Sequence, residues 1–281
     1  MIISEALQRG ADILGKNGVP DAGREAASLM IYVLDRDRAF LIAHSDEELP
    51  PETVESFNTV ISRRAGREPF QYIVGKQEFY GIDFEVVPGV LIPRPETETL
   101  VDAAIDYLSG LDSPRFLEIG VGSGCVSVSV LKHVQNSSAI GVDISEGALR
   151  LTERNAERAE VADCLELRLG SLYEPVGGLT FNAILSNPPY VSVAELAQLQ
   201  SEVRDFEPHA ALTDGGSGLS IIKRIIDLAP KYLPAGGSLI LEFGFGQSSS
   251  VLTMFDQTVW SSVKIIKDRR MIDRVVISKL A

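Results

Sequence analysis

Arg115-Phe-Leu-Glu-Ile-Gly-Val-Gly-Ser-Gly-Cys-Val126 decides the fold. It reads as a strand, a loop and the start of a helix in succession. Gly120, Gly122 and Gly124 follow a G-x-G-x-G spacing. Glycine is needed where a chain turns sharply and a ligand must reach the backbone. A dinucleotide loop would want G-x-G-x-x-G, with its third glycine at position 125, which is Cys125 here. The spacing leans away from a dinucleotide without excluding one. Glu118, just before the loop, suits a ligand carrying an ammonium group rather than a pyrophosphate.

Strands and helices alternate around this motif. A helix is expected over Glu96 to Leu108, a strand at Arg115 to Ile119 and a helix from Gly124 to His133. Ala139 to Asp143 reads as a strand, Glu146 to Ala159 as a helix, and Cys164 to Leu169 and Phe181 to Ser186 as strands. A helix over about Gly218 to Leu233 precedes a strand at Ser238 to Phe243. Two β-rich runs follow, Val263 to Lys267 and Arg274 to Ile277. Short apolar strands between helices indicate an α/β fold with a parallel sheet covered on both faces. Ligands of such sheets bind beyond the carboxyl ends of the strands. Function is therefore expected in the loops after Ile119, Asp143 and Ser186. Asp143 sits where a carboxylate can accept both hydroxyls of a ribose. A nucleoside with a cationic amino-acid tail fits both acids, and S-adenosyl-L-methionine is that molecule. A tight turn with a helix-capping acid would leave the same residues.

Phe181-Asn-Ala-Ile-Leu-Ser-Asn-Pro-Pro-Tyr190 is the sharpest feature of the chain. Pro188 and Pro189 remove two backbone donors and stiffen the loop. The Pro188 carbonyl can then project as a free acceptor beside the side-chain oxygen of Asn187. Tyr190 offers a flat face for a planar group. Two adjacent acceptors suit one target, an NH2 on a planar group. Accepting both N–H bonds orients that nitrogen and stabilises the positive charge that develops on it during attack. The methyl of a sulfonium must lie in line at near-attack distance. No metal and no covalent intermediate is required.

Upstream, the pattern is helical. Ala6, Ile13 and Leu14 share a stripe, as do Ala26, Leu29, Met30, Val33 and Leu34, and Val54, Phe57, Val60 and Ile61. Pro50 and Pro51 suit a helix start, which Glu52 and Glu55 complement. Residues 1–75 are expected to form a small helical bundle that binds a partner, covers a cleft or adds stability only. Residues 76–93 read as a hairpin linking it to residues 94–281.

Composition narrows the function classes. Of 281 residues, 45% are hydrophobic and 23% charged, which excludes a fully disordered or fibrous chain. Lys plus Arg is 26 and Asp plus Glu 39, a net charge of −13, the wrong sign for gripping nucleic acid through its phosphates. Cys125 and Cys164 cannot make a disulfide framework or a four-thiolate metal site. With an opening Met-Ile-Ile-Ser-Glu that lacks a basic export region, they favour a reducing cytoplasm. No apolar run approaches the ~20 residues of a membrane-spanning helix.

On these motifs the chain resembles the protein-(glutamine-N5) methyltransferases that modify class-1 peptide-chain release factors. The resemblance is carried by Gln71-Tyr72-Ile73 with Gly75, Glu78-Phe79-Tyr80-Gly81 and Leu91-Ile-Pro-Arg-Pro-Glu-Thr-Glu98. It continues through Glu118 to Gly124, Asp143, Asn187 to Tyr190, Glu207-Pro208 and Gly215 to Leu219, and ends at Glu242, Gly244 and Gln247. The Asn-Pro-Pro-Tyr tetrad alone is shared with enzymes that methylate amino groups of DNA and RNA.

The resemblance implies a seven-stranded, Rossmann-like class I methyltransferase sheet behind a helical N-terminal domain that binds the substrate protein. It implies S-adenosyl-L-methionine as cofactor and the glutamine of a Gly-Gly-Gln motif as target. It places Glu118, Ile119, Gly120, Val121, Gly122, Asp143, Leu172 and Asn187 around the cofactor. Asn187, Pro188, Pro189 and Tyr190 would hold the glutamine amide and serve catalysis, with Arg94 to Glu98 bordering the cleft. Release factors are the expected partners of a monomeric enzyme with no direct contact to nucleic acid or membrane. Methylation of a ribosomal-protein glutamine, or of adenine in DNA or RNA, is the alternative.

Two departures stand out. The family often has Asp-Trp where this chain has Ser171-Leu172, which predicts weaker adenine packing. The usual glycine-containing turn near the end is replaced by Lys267-Asp-Arg-Arg-Met-Ile-Asp-Arg274, where a local loop change is expected. His44, His133 and His209 are scattered and suggest no metal site.

Overall fold

The structure is a computed structural model that describes residues 1–281. The chain divides into two compact units, Met1–Gly75 with Gln200–Phe206, and Lys76–Leu199 with Glu207–Ala281.

The first unit is helical. Helices Ile3–Lys16, Ala22–Leu34, Arg38–Ala43, Pro51–Ala65 and Phe70–Val74 enclose a core of Ile3, Leu14, Leu29, Met30, Phe57 and Ile61. The third long helix begins at Pro51, where a proline lacks nothing because the first helical N–H has no partner inside the helix. The short helix Ser201–Phe206 joins this unit through charge. Arg64 is buried and donates to Glu25 Oε2 at 2.7 Å and to Glu202 Oε1 at 3.1 Å. Arg67 donates to Glu202 Oε2 at 2.6 Å. No local periodicity announces that attachment, because it rests on ion pairs between residues more than 130 positions apart.

The second unit starts with an antiparallel hairpin, β1 (Lys76–Phe79) and β2 (Ile82–Glu85), whose Phe79 and Phe84 are buried. The sheet follows: β3 (Arg115–Ile119), β4 (Ser138–Asp143), β5 (Leu165–Leu169), β6 (Ala183–Ser186), β7 (Ser238–Glu242), β8 (Trp260–Lys267) and β9 (Asp273–Leu280). Their spatial order is 5-4-3-6-7-9-8. The expected seven strands are present, with one correction to an all-parallel reading. β3 to β7 run parallel, whereas β9 is antiparallel to both β7 and β8. Parallel neighbours need a long crossover. The short Asp268–Ile272 turn between β8 and β9 permits only reversal. Asp268 closes that turn by accepting from the Arg270 and Ile272 amides at 2.9 and 3.0 Å.

Helices cover both faces. Successive side chains of a strand alternate between faces, and β3 shows it: Phe116 joins one buried cluster, with Leu100, Val128 and Val130, while Leu117 and Ile119 join the other, with Ile184, Ile222 and Leu239. The helix expected to reach Leu233 spans Ser220–Leu228, because Pro230 cannot continue it and Ala229–Lys231 tightens into a 3₁₀ turn.

The hairpin is fastened to the sheet unit by Asn155, which is 2% exposed. Its Oδ1 accepts the Glu85 amide at 2.8 Å. Its Nδ2 donates to the carbonyls of Glu85 at 3.1 Å and of Ser123, in the glycine loop, at 2.9 Å. One side chain thus satisfies three backbone groups, which would otherwise be left unpaired in the interior. Asn155→Ala is expected to lower unfolding free energy by about 2–3 kcal/mol, read from urea denaturation midpoints at constant slope.

Candidate active site

The register of β3 builds the site. Ile119 lies opposite Val142 on one side and Ser186 on the other. The chain order of the sheet reverses at β3, so the loops after β3, β4 and β6 diverge around one crevice, as at the switch point of any open α/β sheet. A cavity of about 670 Å³ occupies it, within the range of small-ligand sites. Glu118, Ile119, Gly120, Val121, Gly122, Asp143, Leu172, Asn187, Pro188 and Pro189 all line it. Thr97, Arg94 and Cys125 line it as well.

The glycine loop leaves its backbone open. Gly120 and Gly122 have φ of +76° and +59°, where side chains are disfavoured, and no other atom lies closer than 4.0 Å to the place of a Cβ. A ligand can therefore lie directly on the peptide planes. Beside the loop, Asp143 accepts the Gly122 amide on Oδ2 at 3.0 Å and the Ser145 amide on Oδ1 at 2.9 Å. Each oxygen retains a lone-pair direction for an outside donor. Burial raises the Asp143 carboxyl above its ordinary value, against the pull of those amides.

Glu118 does more than its sequence position suggested. It is buried, and its Oε2 accepts the backbone N–H of Ser127 at 2.8 Å and the Ser127 hydroxyl. It thus caps the first turn of helix Cys125–His133, whose N-terminal dipole favours the negative charge. Burial pushes its carboxyl up to about 8. A cationic ligand would restore the charged form. Burial likewise pushes the Cys125 thiol up to about 12, which leaves it a neutral wall of the cavity.

Leu172 stands at φ +52° and is buried, an uncommon conformation for a side chain of its size. It presents aliphatic surface where the family often has tryptophan. The turn at Lys267–Arg274, the other departure, lies along the Arg94–Glu98 segment. Arg269 pairs with Glu98 at 3.0 Å and Arg270 with Glu96 at 3.7 Å.

The tetrad is held rigidly. Pro188 is buried, and no backbone amide donates to its carbonyl. Asn187 donates through Nδ2 to the Thr97 hydroxyl at 3.1 Å, which leaves Oδ1 for a donor in the cleft. Tyr190 is anchored on the end of β7. Its hydroxyl donates to Glu242 Oε1 at 3.0 Å, and it packs on the core rather than lining the cavity. Burial and the neighbouring Glu242 raise its phenol far above the ordinary value. Behind it, Gln247 donates to the Tyr190 carbonyl at 2.9 Å and accepts from the Gly244 amide at 2.8 Å. Gly218 leaves room for the same carbonyl, since a Cβ there would meet it at 2.0 Å.

Arg94 and Glu207 form an ion pair, with Glu207 4% exposed and also accepting the Ile92 amide at 3.2 Å. This joins the Pro-Arg-Pro segment to the loop carrying Pro208, Ala211 and Thr213, which lines the far wall. Sequence reasoning missed this pairing and the Thr97–Asn187 contact, since neither partner is near the other in the chain. The only available signal was their shared place in family-like segments.

The PrmC N-terminal domain family matches residues 5–75, and the methyltransferase small domain family matches residues 99–217. A release factor glutamine methyltransferase of Geobacter sulfurreducens is 43% identical over 98% of this chain and 95% of its own. One from Koribacter versatilis is 36% identical over 99% of both. Among solved structures, a methyltransferase from Pyrococcus furiosus superposes with a TM-score of 0.54 at 20% identity, over 72% of this chain and 90% of that one, which speaks for the fold alone. The chain belongs to the release factor glutamine methyltransferase family.

Proposed function

We propose that this protein transfers a methyl group from S-adenosyl-L-methionine to the side-chain amide nitrogen of the glutamine in the Gly-Gly-Gln motif of class-1 release factors. The observation that carries the reading is that Asn187, with its Nδ2 committed to Thr97, and Pro188 line the cavity that Asp143 and the open glycine loop also line. The relatives' common name supports it over 95% or more of their length.

The donor supplies an electrophilic methyl and departs as S-adenosyl-L-homocysteine. The chain's own residues do the rest. Asp143 accepts the ribose hydroxyls on the lone pairs its backbone partners leave free. Gly120 and Gly122 let the amino-acid tail lie against the backbone, with Glu118 beneath as counter-charge to its ammonium. An amide nitrogen is a poor nucleophile because its lone pair is delocalised. Asn187 Oδ1 and the Pro188 carbonyl accept its two N–H bonds, which holds the nitrogen facing the methyl. As the N–C bond forms and the S–C bond breaks, the nitrogen turns positive, the same two oxygens stabilise it more than they stabilised the neutral amide, and one N–H proton then passes to solvent to leave the N-methyl amide. Tyr190, anchored on Glu242, supports the tetrad from behind.

We assign residues 1–75 to recognition of the release factor, residues 76–93 to the hairpin segment and residues 94–281 to methyl transfer. The match of residues 5–75 to a family defined for this N-terminal region supports the first assignment. No helix is long and apolar enough to cross a membrane.

Purified protein is expected to label a release factor from methyl-labelled donor, and to leave its Gly-Gly-Gln→Gly-Gly-Ala variant unlabelled. Label entering DNA while the release factor stays blank would overturn the reading. Asn187→Ala should cut kcat about 10²-fold with the donor constant nearly unchanged, as expected for a group acting in the transition state. Asp143→Ala should do the reverse and weaken donor binding in calorimetry by roughly tenfold or more, the loss of one good hydrogen-bonding carboxylate.

A further inference from the structure

We propose that Thr97 is a positioning residue: hydrogen-bonded to the Asn187 amide and near the buried Glu242 carboxylate, it dictates which end of that amide faces the cleft. The inference deepens the reading of Asn187 as acceptor for the substrate nitrogen and rests on it.

An asparagine amide is nearly symmetric in shape, and its last torsion has two comparable wells. One orientation offers the cleft an oxygen, the acceptor that the reaction needs. The other offers an NH2, which would meet the NH2 of the substrate donor to donor and lose the transition-state contact. The difference is decided by whatever holds the opposite end of the side chain. Here that is the Thr97 hydroxyl, 3.1 Å from Asn187 Nδ2 and 2% exposed.

A hydroxyl alone does not choose, because it can donate or accept. Its own proton must be committed elsewhere. Glu242 provides the commitment. It ends β7, is 0% exposed, and accepts the Tyr190 hydroxyl on Oε1 at 3.0 Å. Its Oε2 is buried with no hydrogen-bond partner, so its lone pairs are open to the Thr97 hydroxyl, which favours the charged carboxylate. A carboxylate only accepts. The Thr97 proton is therefore drawn toward Glu242, and Thr97 can then only accept from Asn187 Nδ2. The Thr97 hydroxyl is buried, so leaving it mispaired in the wrong orientation is costly.

The relay depends on the charge of Glu242. Burial raises its carboxyl to about 7, the hydroxyls of Thr97 and Tyr190 and the Arg274 guanidinium pull it down, and Glu96 pushes it up. The Cys125 thiol, also within the field of Glu242, is neutral. Above that value Glu242 is an acceptor and the amide is aligned. Below it the carboxyl carries a proton of its own to donate, and Thr97 is free to donate to Asn187 Oδ1, which turns the amide over. Turnover at saturating donor should therefore rise with pH through about 7.

The test uses the full-length enzyme, a release factor and saturating labelled donor. Wild type that fails to label the release factor would refute the underlying reading, not this inference. Given active wild type, Thr97→Val, which keeps the shape and removes the hydroxyl, should lower kcat about 10²-fold while donor affinity by calorimetry and KM for the release factor stay within about threefold. Thr97→Ser should restore kcat to within about threefold, since it returns the hydroxyl without the methyl. Glu242→Gln should flatten the rise of kcat near pH 7. A Thr97→Val enzyme of normal kcat, a Thr97→Ser enzyme as slow as Thr97→Val, or a Glu242→Gln enzyme that keeps the wild-type pH rise would each overturn the relay. Should Thr97→Val not fold, as its donor binding would reveal, the Thr97→Ser rate and the Glu242→Gln profile still decide.

Discussion

Parallel pairing of β3 with β4 on one side and β6 on the other is the constraint on which the rest depends. It sets Ile119 level with Val142 and Ser186, so three strands end together. A slip of one residue would turn every side chain to the opposite face. Buried clusters on both faces forbid it, since Phe116 belongs to one and Leu117 to the other. Hydrophobic burial thus determines where a glycine loop, an aspartate and an asparagine meet, although none of the three contributes to that burial.

What the core positions roughly, buried carboxylates position finely. Glu118 caps a helix from the end of β3, Glu207 ties down the Pro-Arg-Pro segment, and Glu242 holds Tyr190 from the end of β7. Each is nearly inaccessible, and each accepts a hydrogen bond from a different element. Burying a charge is costly unless hydrogen bonds or counter-charges offset it. Such groups therefore rigidify the loops that meet them. The cleft is built on backbone turns fixed by these acids rather than on mobile side chains, as suits chemistry that depends on alignment more than on a strong base.

Much of this was legible in the residues. The strand and glycine loop at Arg115–Gly124, Asp143 at the end of β4, and Asn187–Pro189 after β6 are local strings whose meaning lies in their own spacing, and Glu118 to Ser123, Asp143 and Asn187 to Pro189 line one cavity. Tyr190 reads as a flat face for a planar group, and its string does not reveal that its hydroxyl donates to Glu242, 52 residues on. The antiparallel end of the sheet was missed for a related reason. β8 and β9 have the composition of any buried strand, and only the tight turn at Asp268 sets their direction. The helix at Ser201–Phe206 has too few apolar residues to signal its place, which ion pairs to Arg64 and Arg67 decide. Pairing across long stretches of chain is what periodicity and motif spacing do not encode.

The most direct measurement is a crystal structure with S-adenosyl-L-homocysteine and a peptide containing Gly-Gly-Gln. The glutamine amide nitrogen is expected about 2.9 Å from both Asn187 Oδ1 and the Pro188 carbonyl, with its open side toward the sulfur. A nitrogen beyond hydrogen-bond reach of those two oxygens, or an Asn187 that presents Nδ2 to it, would contradict the proposed chemistry at its centre.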